Sequence, residues 1–461
     1  MFRINFSVIV LTLFVMTIIS CKTEKKAQFT GAEGEVKLVT LDPGHFHAAL
    51  VQKYMYPQVN PEVYVYAPDG EDLEQHLKRL DGFNTRQDNP TGWTINVFRG
   101  DDFFARMIAD KKGNVMMTAG NNLKKTEYIK RAIDFGMNVL ADKPMAINVD
   151  NFEVLKQAFE SAKQNNVLLY DIMTGRFEIA SILQREISQL SEIFGTLEKG
   201  TPDDPAVIKE SVHHFFKEVS GSILRRPAWF YDVEQQGEGI VDVTTHLVDF
   251  VQWACFPEMV LDPSDVNVLS AKRWTTDMNK EEFSNSTGFP EYPAFLMKDV
   301  ENDILRVYSN GEINYTLKGV HANVKVVWNY VAPEGGGDTH YSLMRGSKAN
   351  LVILQGPEQG YVPTLFIEPV APVSADFEKV VTDNFSKIKD KFPGVDLKKL
   401  ENKWEVIVPQ KYHNGHEAHF GQVTERYLQY LIDGKLPDWE ESYMLTKYYT
   451  TTKALKIAKG N

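Results

Sequence analysis

The sequence predicts an α/β fold: a doubly wound parallel sheet, followed by an α/β domain with a large, open and mostly antiparallel sheet. Two observations predict it. Between residues 36 and 172, short apolar segments alternate with helical segments, which is the pattern of parallel strands joined by helices. After residue 265, strand-like segments recur without helices between them, as is typical of antiparallel sheets. The 461 residues suffice for two domains, predicted as 36–172 and 173–461.

The first domain contains six predicted strands, each a short apolar segment that ends in turn-forming residues. Helices are predicted from Ala48, after Asn122 and over residues 151–164, where apolar side chains recur at helical spacing. Ligands of such sheets bind at the carboxyl ends of the strands. The predicted strands are 36–41, 63–66, 94–98, 115–118, 137–141 and 167–170.

The second domain is predicted from the strand-like segments that follow. These are residues 266–271, 304–309, 312–317, 324–331 and 351–354. A helix over 377–392 and a strand over 404–408 suggest an insertion at about 360–410, and helices over 423–432 and 443–457 end the chain.

The composition is that of a soluble globular protein, with 43% hydrophobic and 24% charged residues. The formal net charge is −12, whereas nucleic acids are bound by basic surfaces. We therefore expect no nucleic-acid partner.

The N-terminus predicts a lipoprotein signal peptide over residues 1–20. Arg3 precedes an apolar run, residues 6–19, that is too short to span a bilayer comfortably. Cys21 follows in a context that resembles a bacterial lipoprotein cleavage box, and the polar residues 21–35 would form a tether. A lipid on Cys21 would place the protein in the cell envelope, on the periplasmic side or the outer surface. An uncleaved membrane anchor and a plain secretory signal are the alternatives.

The second cysteine, Cys255, lies in the apolar segment WACF. If Cys21 is lipidated, Cys255 has no disulfide partner. We expect a packed core thiol rather than a nucleophile.

The first turn after a strand, LDPGHFHAAL, is a candidate for phosphate binding. A dinucleotide-binding turn has the pattern G-x-G-x-x-G, and here only the middle glycine, Gly44, is present. Asp42 and His47 occupy the outer positions. Gly44 still permits close approach of a pyrophosphate, with His45 and Phe46 beside it. The histidines are either phosphate contacts or exposed loop residues.

Further cofactor contacts are predicted where the second and fourth strands end. Asp69 follows the second strand, where an acidic residue often binds the adenosine ribose and favours NAD over NADP. The alternative is an ordinary turn aspartate. Thr118 and Asn121 follow the fourth strand. The predicted cofactor is NAD, with NADP as the alternative.

Lys143 and Pro144 follow the fifth strand. Proline cannot continue a helix and stiffens the chain directly after the lysine. Lys143 would then stay at the end of the strand, beside the nicotinamide. A surface lysine is the alternative.

The segment GEGIVDVTTHLVDFVQW places Asp242 and His246 one helical turn apart, on one face with Asp249 and Trp253. An imidazole is suited to accept a hydroxyl proton near neutral pH, and Asp242 can bond to it or to a substrate. Glycines at 237 and 239 would let the backbone approach a ligand. A helix-start aspartate with a core histidine is the alternative.

The segment KYHNGHEAHF contains three histidines, His413, His416 and His419. They could bind zinc, contact a substrate or lie on the surface. We predict that His416 and His419 contact the substrate. We predict no metal site. His213 and His214 alternate along a strand-like segment, so only one of them is expected to face the cleft.

Four segments together resemble the glucose–fructose oxidoreductase and inositol dehydrogenase family (Gfo/Idh/MocA). They are KLVTLDPGHFH, AGNN, FGMNVLADKPMAIN and GEGIVDVTTHLVDFVQW, and their order and spacing match over residues 36–350. The glycine turn departs from the family pattern, and Gly120-Asn121-Asn122 stands where many members have a small residue and a proline. This form carries a signal peptide and an extended C-terminal region.

The resemblance implies a Rossmann domain, a nicotinamide cofactor and a sugar or polyol substrate. It assigns Lys143 to substrate positioning and tuning of the base, Asp242 to a substrate hydroxyl and His246 to general acid–base catalysis. Members of the family commonly associate through the open sheet, so a homo-oligomer is expected.

The sequence therefore predicts an oxidoreductase that moves hydride to or from a ring carbon of a sugar, glycoside or polyol. A cofactor retained through each cycle would suit an envelope location. The alternatives are an NAD-dependent glycosidase that works by transient oxidation and elimination, and a non-catalytic glycan-binding lipoprotein on a degenerate nucleotide fold.

Overall fold

A computed structural model describes residues 29–219 and 222–460 of the chain. The predicted signal peptide, its Cys21 and most of the predicted tether lie outside the described residues. In the described part of the chain, no helix combines the length and the apolarity needed to cross a membrane.

Six parallel strands form the first sheet in the spatial order 3-2-1-4-5-6, the strand order of dinucleotide-binding folds. β1, β4, β5 and β6 are buried throughout, because helices cover both faces of the sheet. The prediction of a doubly wound parallel sheet is confirmed, with strand ends shifted by up to two residues. The strands are β1 (Leu38–Leu41), β2 (Glu62–Ala67), β3 (Thr94–Arg99), β4 (Val115–Thr118), β5 (Asn138–Asp142) and β6 (Leu169–Ile172).

Five helices connect these strands. The first has a single turn, which is unusual, because the helix after the first strand of such a fold normally covers the sheet and points its N-terminus at the cofactor. The helices are α1 (His47–Leu50), α2 (Glu71–Thr85), α3 (Phe103–Asp110), α4 (Lys125–Asp134) and α5 (Val149–Asn165).

The second sheet has ten strands and is mostly antiparallel, as predicted, with one parallel pair between β7 and β13. A separate two-stranded sheet joins β8 to β9. The predicted segments 304–309 and 312–317 form one long strand. The strands are β7 (Val207–Phe216), β8 (Glu218–Val219), β9 (Ser222–Ile223), β10 (Val266–Met278), β11 (Val300–Glu301), β12 (Ile304–Leu317), β13 (Val320–Val331), β14 (Thr339–Arg345), β15 (Ala349–Gln355), β16 (Thr364–Pro369), β17 (Asp396–Lys399) and β18 (Trp404–Ile407).

Seven further helices follow β6 in the chain. β18 pairs with both β16 and β17, so the segment predicted as an insertion continues the sheet at its edge. The helices are α6 (Ile179–Ser188), α7 (Val233–Gln236), α8 (Thr244–Cys255), α9 (Lys280–Thr287), α10 (Ala375–Lys391), α11 (Gly415–Asp433) and α12 (Asp438–Ala458).

The penultimate helix, α11, covers the face of the first sheet that α1 is too short to cover. At its N-terminal end, the ring of His416 lies 5.3 Å from that of His47, at the carboxyl edge of the sheet. At its other end, Ile432 lies beside Gly31, which precedes β1. Phe420 of α11 is 1% exposed and belongs to the core of the first sheet. α11 therefore runs from the carboxyl edge of the sheet to its amino edge, the direction of a first Rossmann helix.

A buried ion network joins the two domains behind α8. Arg176 donates to Asp249 through two nitrogens, each at 2.7 Å, and to Glu440 at 2.7 Å. Lys447 of α12 lies 2.9 Å from Asp249 and 2.8 Å from Asp171, at the end of β6. These five side chains are at most 6% exposed, so each charge depends on its partners.

Cys255 lies at the end of α8 and is unpaired. It packs against the core of the second domain, and burial raises the pKa of its thiol to about 12. The prediction of a packed core thiol is confirmed.

Candidate active site

Lys143 and Asp242 meet in the cleft between the domains. Lys143 follows β5, its peptide bond to Pro144 is cis, and its Nζ donates to Asp242 Oδ1 at 2.5 Å. Gln236 donates to the other carboxylate oxygen, Oδ2, at 3.0 Å. The two side chains are 12% and 7% exposed, so little water screens their charges. The structure brings together two residues that lie 99 positions apart, as predicted.

His246 lies in the first turn of α8, and Asp242 is in the turn just before that helix. Burial, together with the positive charge of Lys143, lowers the pKa of His246 to about 3. The imidazole is therefore neutral at physiological pH and can accept a proton. Asp242 bonds to Lys143 and Gln236 instead of His246, so its carboxylate acts on the lysine rather than on the imidazole.

Two residues predicted on the same helix face lie away from the cleft. Asp249 belongs to the buried ion network, where its pKa is well below the usual range of a carboxyl because Arg176 and Lys447 outweigh the cost of burial. Trp253 is buried against Arg185. The glycine at 239 also differs from the prediction: a Cβ there would collide with the backbone of Ser309, so this residue serves packing on β12 rather than ligand approach.

The first turn of the Rossmann domain keeps its shape despite two missing glycines. Asp42 stands at the first glycine position with φ +49°, a left-handed conformation that aspartate tolerates better than most residues. The amide of Gly44 donates to the carbonyl oxygen of Asp42, and that of His45 donates to the oxygen of Ala119. The ring of Phe46 contacts those of His45 and His47, and the two imidazoles also contact each other.

Trp229 and Asp72 lie directly over Gly44. A Cβ on Gly44 would come within 3.0 Å of each, and the Trp229 indole donates to Asp72 Oδ2 at 2.7 Å. Burial raises the pKa of Asp72 to about 6, and burial together with the nearby Asp72 carboxyl raises that of Asp42 to about 6. Sequence reasoning missed Asp72 and Trp229, because nothing in their local sequence indicates this contact.

Asp69, the predicted ribose contact, is 71% exposed and pairs with Arg99 at 3.1 Å. An exposed ion pair of this kind is compatible with the alternative, a turn aspartate. Asp72, three residues later in the first turn of α2, is the acidic residue that reaches the Gly44 turn.

The residues after β4 contact the second domain. Thr118 is buried at the end of the strand, level with Leu41. Asn121 donates to the side-chain oxygen of Gln235 at 2.6 Å, and the side chain of Asn122 donates to the backbone oxygen of Gln236 at 2.7 Å. The Oδ1 of Asn122 is buried without a partner in the described structure. This loop therefore closes the cleft against α7.

The predicted histidines separate into two groups. His416 lies at the edge of the cleft, where burial lowers its pKa and the nearby Asp142 carboxylate opposes that change. His419 is 8% exposed and its Nε2 bonds to Asn414, so it stabilises the start of α11 and does not reach the cleft. Substrate contact for His419 is therefore not supported. Within the described residues, His413, His416 and His419 do not form a metal-binding group.

A carboxylate on the opposite wall was missed by the sequence reasoning. Asp338, in the segment EGGGDTH, receives hydrogen bonds from His213 at 3.2 Å, from His214 at 3.1 Å and from Lys217 at 2.6 Å. Both histidines thus bond to the same carboxylate, whereas only one was expected to face the cleft. The three glycines before Asp338 indicate a loop, and they were the one local sign that this segment differs from its neighbours.

The arrangement suits proton transfer at a hydroxyl group. A neutral imidazole can accept the proton, and an ammonium group held by a carboxylate can stabilise a developing oxyanion. Both lie at the carboxyl edge of a parallel sheet, where ligands of this fold bind.

The comparisons with known proteins agree with the fold. A profile of the family described as "Putative oxidoreductase C terminal domain" matches residues 183–459, more than half of the chain. A solved structure described as a "putative oxidoreductase" from Parabacteroides merdae is 59% identical over 94% of this chain and 100% of that chain, with a TM-score of 0.93. No curated protein matches the chain.

Two more distant structures share the fold alone. KijD10, a 3-ketoreductase from Actinomadura kijaniata in complex with NADP and TDP-benzene, is 13% identical over 91% of this chain and 96% of its own, with a TM-score of 0.53. Levoglucosan dehydrogenase in complex with NADH is 12% identical over 92% and 98%, with a TM-score of 0.57. Together with the family match, these findings place the chain in the oxidoreductase family that carries this C-terminal domain.

Proposed function

We propose that the protein is a nicotinamide-dependent oxidoreductase that moves hydride to or from a ring carbon of a sugar, glycoside or polyol. The observation that carries the proposal is the 2.5 Å contact between Lys143 and Asp242 beside the neutral imidazole of His246. The solved structures with this fold include a 3-ketoreductase with NADP and a dehydrogenase with NADH and levoglucosan.

The residues at the carboxyl edge fit a dinucleotide in most respects. The strand order is that of dinucleotide-binding sheets, and Asn122 has a buried acceptor without a partner, whereas Asp72 and Trp229 fill the space beside Gly44. The first turn contributes less than usual, because α1 has one turn and the amides of Gly44 and His45 already donate within the protein.

Gly44, His45, Phe46, Thr118, Asn121, Lys143 and Pro144 remain the predicted cofactor contacts. Asp72 joins them, since it is the acidic residue that reaches this turn. When bound, the nicotinamide would accept or donate the hydride.

The side chains would share the remaining chemistry. His246 would take the proton of the substrate hydroxyl while the carbon loses hydride. Lys143 would stabilise the oxyanion that forms, and Asp242 would hold Lys143 in place and accept a hydrogen bond from a neighbouring hydroxyl. In the reverse direction the proton returns from His246 to the carbonyl oxygen.

We also propose that the cofactor is retained through the catalytic cycle. Trp229 bonds to Asp72 over the Gly44 turn, and Asn121 and Asn122 bond to α7, so contacts between the domains enclose the cofactor site. Coupling to a second sugar, or transient oxidation followed by elimination of a glycosidic bond, would then regenerate the cofactor without exchange.

The test is the nicotinamide content of the purified protein. Denaturation of the native protein should release about one NAD or NADP per chain. Absorbance and mass identify the released nucleotide. His246→Ala should keep the cofactor and lose at least about 100-fold in its reduction by sugars. The proposal fails if no nicotinamide is present and added NAD and NADP do not bind.

The envelope location is a separate proposal, which rests on the sequence around Cys21. Cells expressing the full chain should incorporate labelled fatty acid into the protein and retain it in the membrane fraction. Cys21→Ser should abolish both, and a soluble, unlabelled wild type would contradict the proposal.

A further inference from the structure

A second group of potential ligands lies at the end of β5, apart from the Lys143–Asp242 pair. His47 Nδ1 is 2.9 Å from Asp142 Oδ2, and His45 Nδ1 is 3.9 Å from the same oxygen. One donor atom from each of the three residues lies within 4.8 Å of the others. Two imidazoles and a carboxylate form a common three-ligand set for transition metals.

The spacing suits an ion with short bonds. Zinc binds imidazole nitrogen and carboxylate oxygen at about 2.0–2.2 Å, so one ion can contact two atoms that are up to about 4.2 Å apart. The separations of 2.9 and 3.9 Å from Asp142 Oδ2 fall within this limit. The two imidazoles lie within 4.8 Å of each other, and the backbone amide of His47 donates to His45 Nδ1, so an ion would need the imidazoles to rotate away from their present hydrogen bonds.

The charges around Asp142 leave a place for a cation. Its side chain is 5% exposed, and within residues 29–219 and 222–460 no lysine or arginine nitrogen lies within 4.0 Å of its carboxylate. The two nearest lysines along this edge have other partners: Lys125 donates to the backbone oxygen of Asp142 at 3.2 Å, and Lys143 donates to Asp242. A buried carboxylate with imidazole partners alone is well suited to a metal.

His416 of α11 is the candidate for a fourth ligand, outside the group of three. Its ring lies 5.3 Å from that of His47, at the exposed edge of the cleft. A ligand set drawn from the first turn, β5 and α11 would connect α11 to the Rossmann sheet.

We propose that His45, His47 and Asp142 bind a divalent transition-metal ion such as Zn²⁺, with His416 as the fourth ligand. An exchangeable position would face the cleft and accept water or an oxygen atom of a sugar. The site shares His45 with the predicted cofactor contacts, but the metal and the nicotinamide are measured separately, so either proposal can fail without the other. The competing explanation is a plain hydrogen bond between His47 and Asp142, which predicts no metal binding.

The experiment uses the full chain, purified with a tag that contains no histidine. After dialysis against chelator, titration with Zn²⁺ and with Co²⁺ should show about one equivalent bound, and Co²⁺ should give the visible absorption of a protein-bound ion. Asp142→Asn and His47→Ala should weaken Zn²⁺ binding by at least about 100-fold, and His416→Ala by less.

Matched controls come from the neighbouring histidines. His413→Ala and His419→Ala should bind Zn²⁺ as the wild type does, because neither residue belongs to the cluster. Circular dichroism without metal identifies any variant that misfolds. If His47→Ala misfolds, the Zn²⁺ affinity of the near-isosteric Asp142→Asn decides whether the cluster binds the metal. The proposal is overturned if the wild type binds no Zn²⁺ or Co²⁺, or if Asp142→Asn binds as tightly as the wild type.

Discussion

At the scale of single residues, the site depends on charges held in a cleft with little water. Lys143 stays at the end of β5 because Asp242 neutralises it at 2.5 Å, and Asp242 in turn is fixed by Gln236. Burial, together with the charge of the same lysine, lowers the pKa of His246 and keeps its imidazole neutral. A charged pair and a neutral imidazole thus lie together, an arrangement typical of sites for general acid–base catalysis.

The first turn predicts a measurable dependence of stability on pH. The pKa of Asp42 is raised to about 6 in the folded chain, by burial and by Asp72, from 3.8 in the unfolded chain. Ionisation of Asp42 therefore destabilises the fold: the penalty is absent below about pH 4, grows between pH 4 and 6, and is complete above pH 6. Asp42→Asn should raise the free energy of unfolding more at pH 8 than at pH 4, by on the order of 2 kcal/mol.

Urea denaturation at the two pH values measures this difference. Lys124 and Lys125, which lower the pKa of Asp42, are unchanged in the variant. Asp81→Asn, on the exposed side of α2, is the control and should show no such difference. Equal effects of Asp42→Asn at both pH values would mean that the carboxyl is not perturbed.

At the scale of secondary structure, α11 takes the place that the first helix, α1, normally has in a dinucleotide-binding fold. α1 has one turn, and α11, from the far end of the sequence, covers the same face in the same direction. The first sheet therefore depends on α11 to bury this part of its core.

Phe420→Ala tests this dependence. Phe420 is 1% exposed and packs in the core of the first sheet, so the truncation should lower the free energy of unfolding by about 3–5 kcal/mol. Phe289→Ala, at a residue that is 39% exposed, should change it by less than about 1 kcal/mol. A small effect of Phe420→Ala in chemical denaturation would show that α11 is not needed by the sheet.

At the scale of the whole molecule, a buried ion network joins the domains. Asp249 forms ion pairs with Arg176 and Lys447, which come from opposite ends of the second domain in the sequence. Lys447 also pairs with Asp171 of the Rossmann sheet. Because Asp249 is one turn beyond His246, the network also holds α8 in place behind the cleft.

Asp249→Asn should lower the free energy of unfolding by about 3 kcal/mol, because it leaves two buried cations partly unpaired. The folded pKa of Asp249 is depressed, so its contribution is present above the unfolded pKa near 4 and is lost at lower pH. Asp383→Asn, in the exposed pair with Lys379, is the control and should be nearly neutral. Equal stability of Asp249→Asn and wild type in thermal denaturation would contradict this role.

Most of the fold was predictable because its signals are local. The strands β1, β4 and β5 are continuous apolar runs bounded by turns, and Lys143 follows one of them directly. The spacing predicted a helix that contains His246, but it also placed Asp242 inside that helix, whereas α8 begins at Thr244.

The remainder depends on contacts between distant segments. No local pattern places α11 over β1, Trp229 over Gly44 or Asp338 between two histidines, because each contact joins residues far apart in the sequence. For the same reason, Asp69 was predicted as the acidic residue near the first turn, whereas the structure places Asp72 beside Gly44. Long-range contacts thus determined which of the candidate side chains reach the cleft.

The most direct test of the account is a crystal structure of the native protein with NAD and a bound sugar. We predict that C4 of the nicotinamide ring lies in the cleft, with Lys143 Nζ and the His246 imidazole both within hydrogen-bonding distance of the same sugar hydroxyl. A structure in which the cofactor binds elsewhere, or in which these two nitrogens contact different groups, would contradict the central claim.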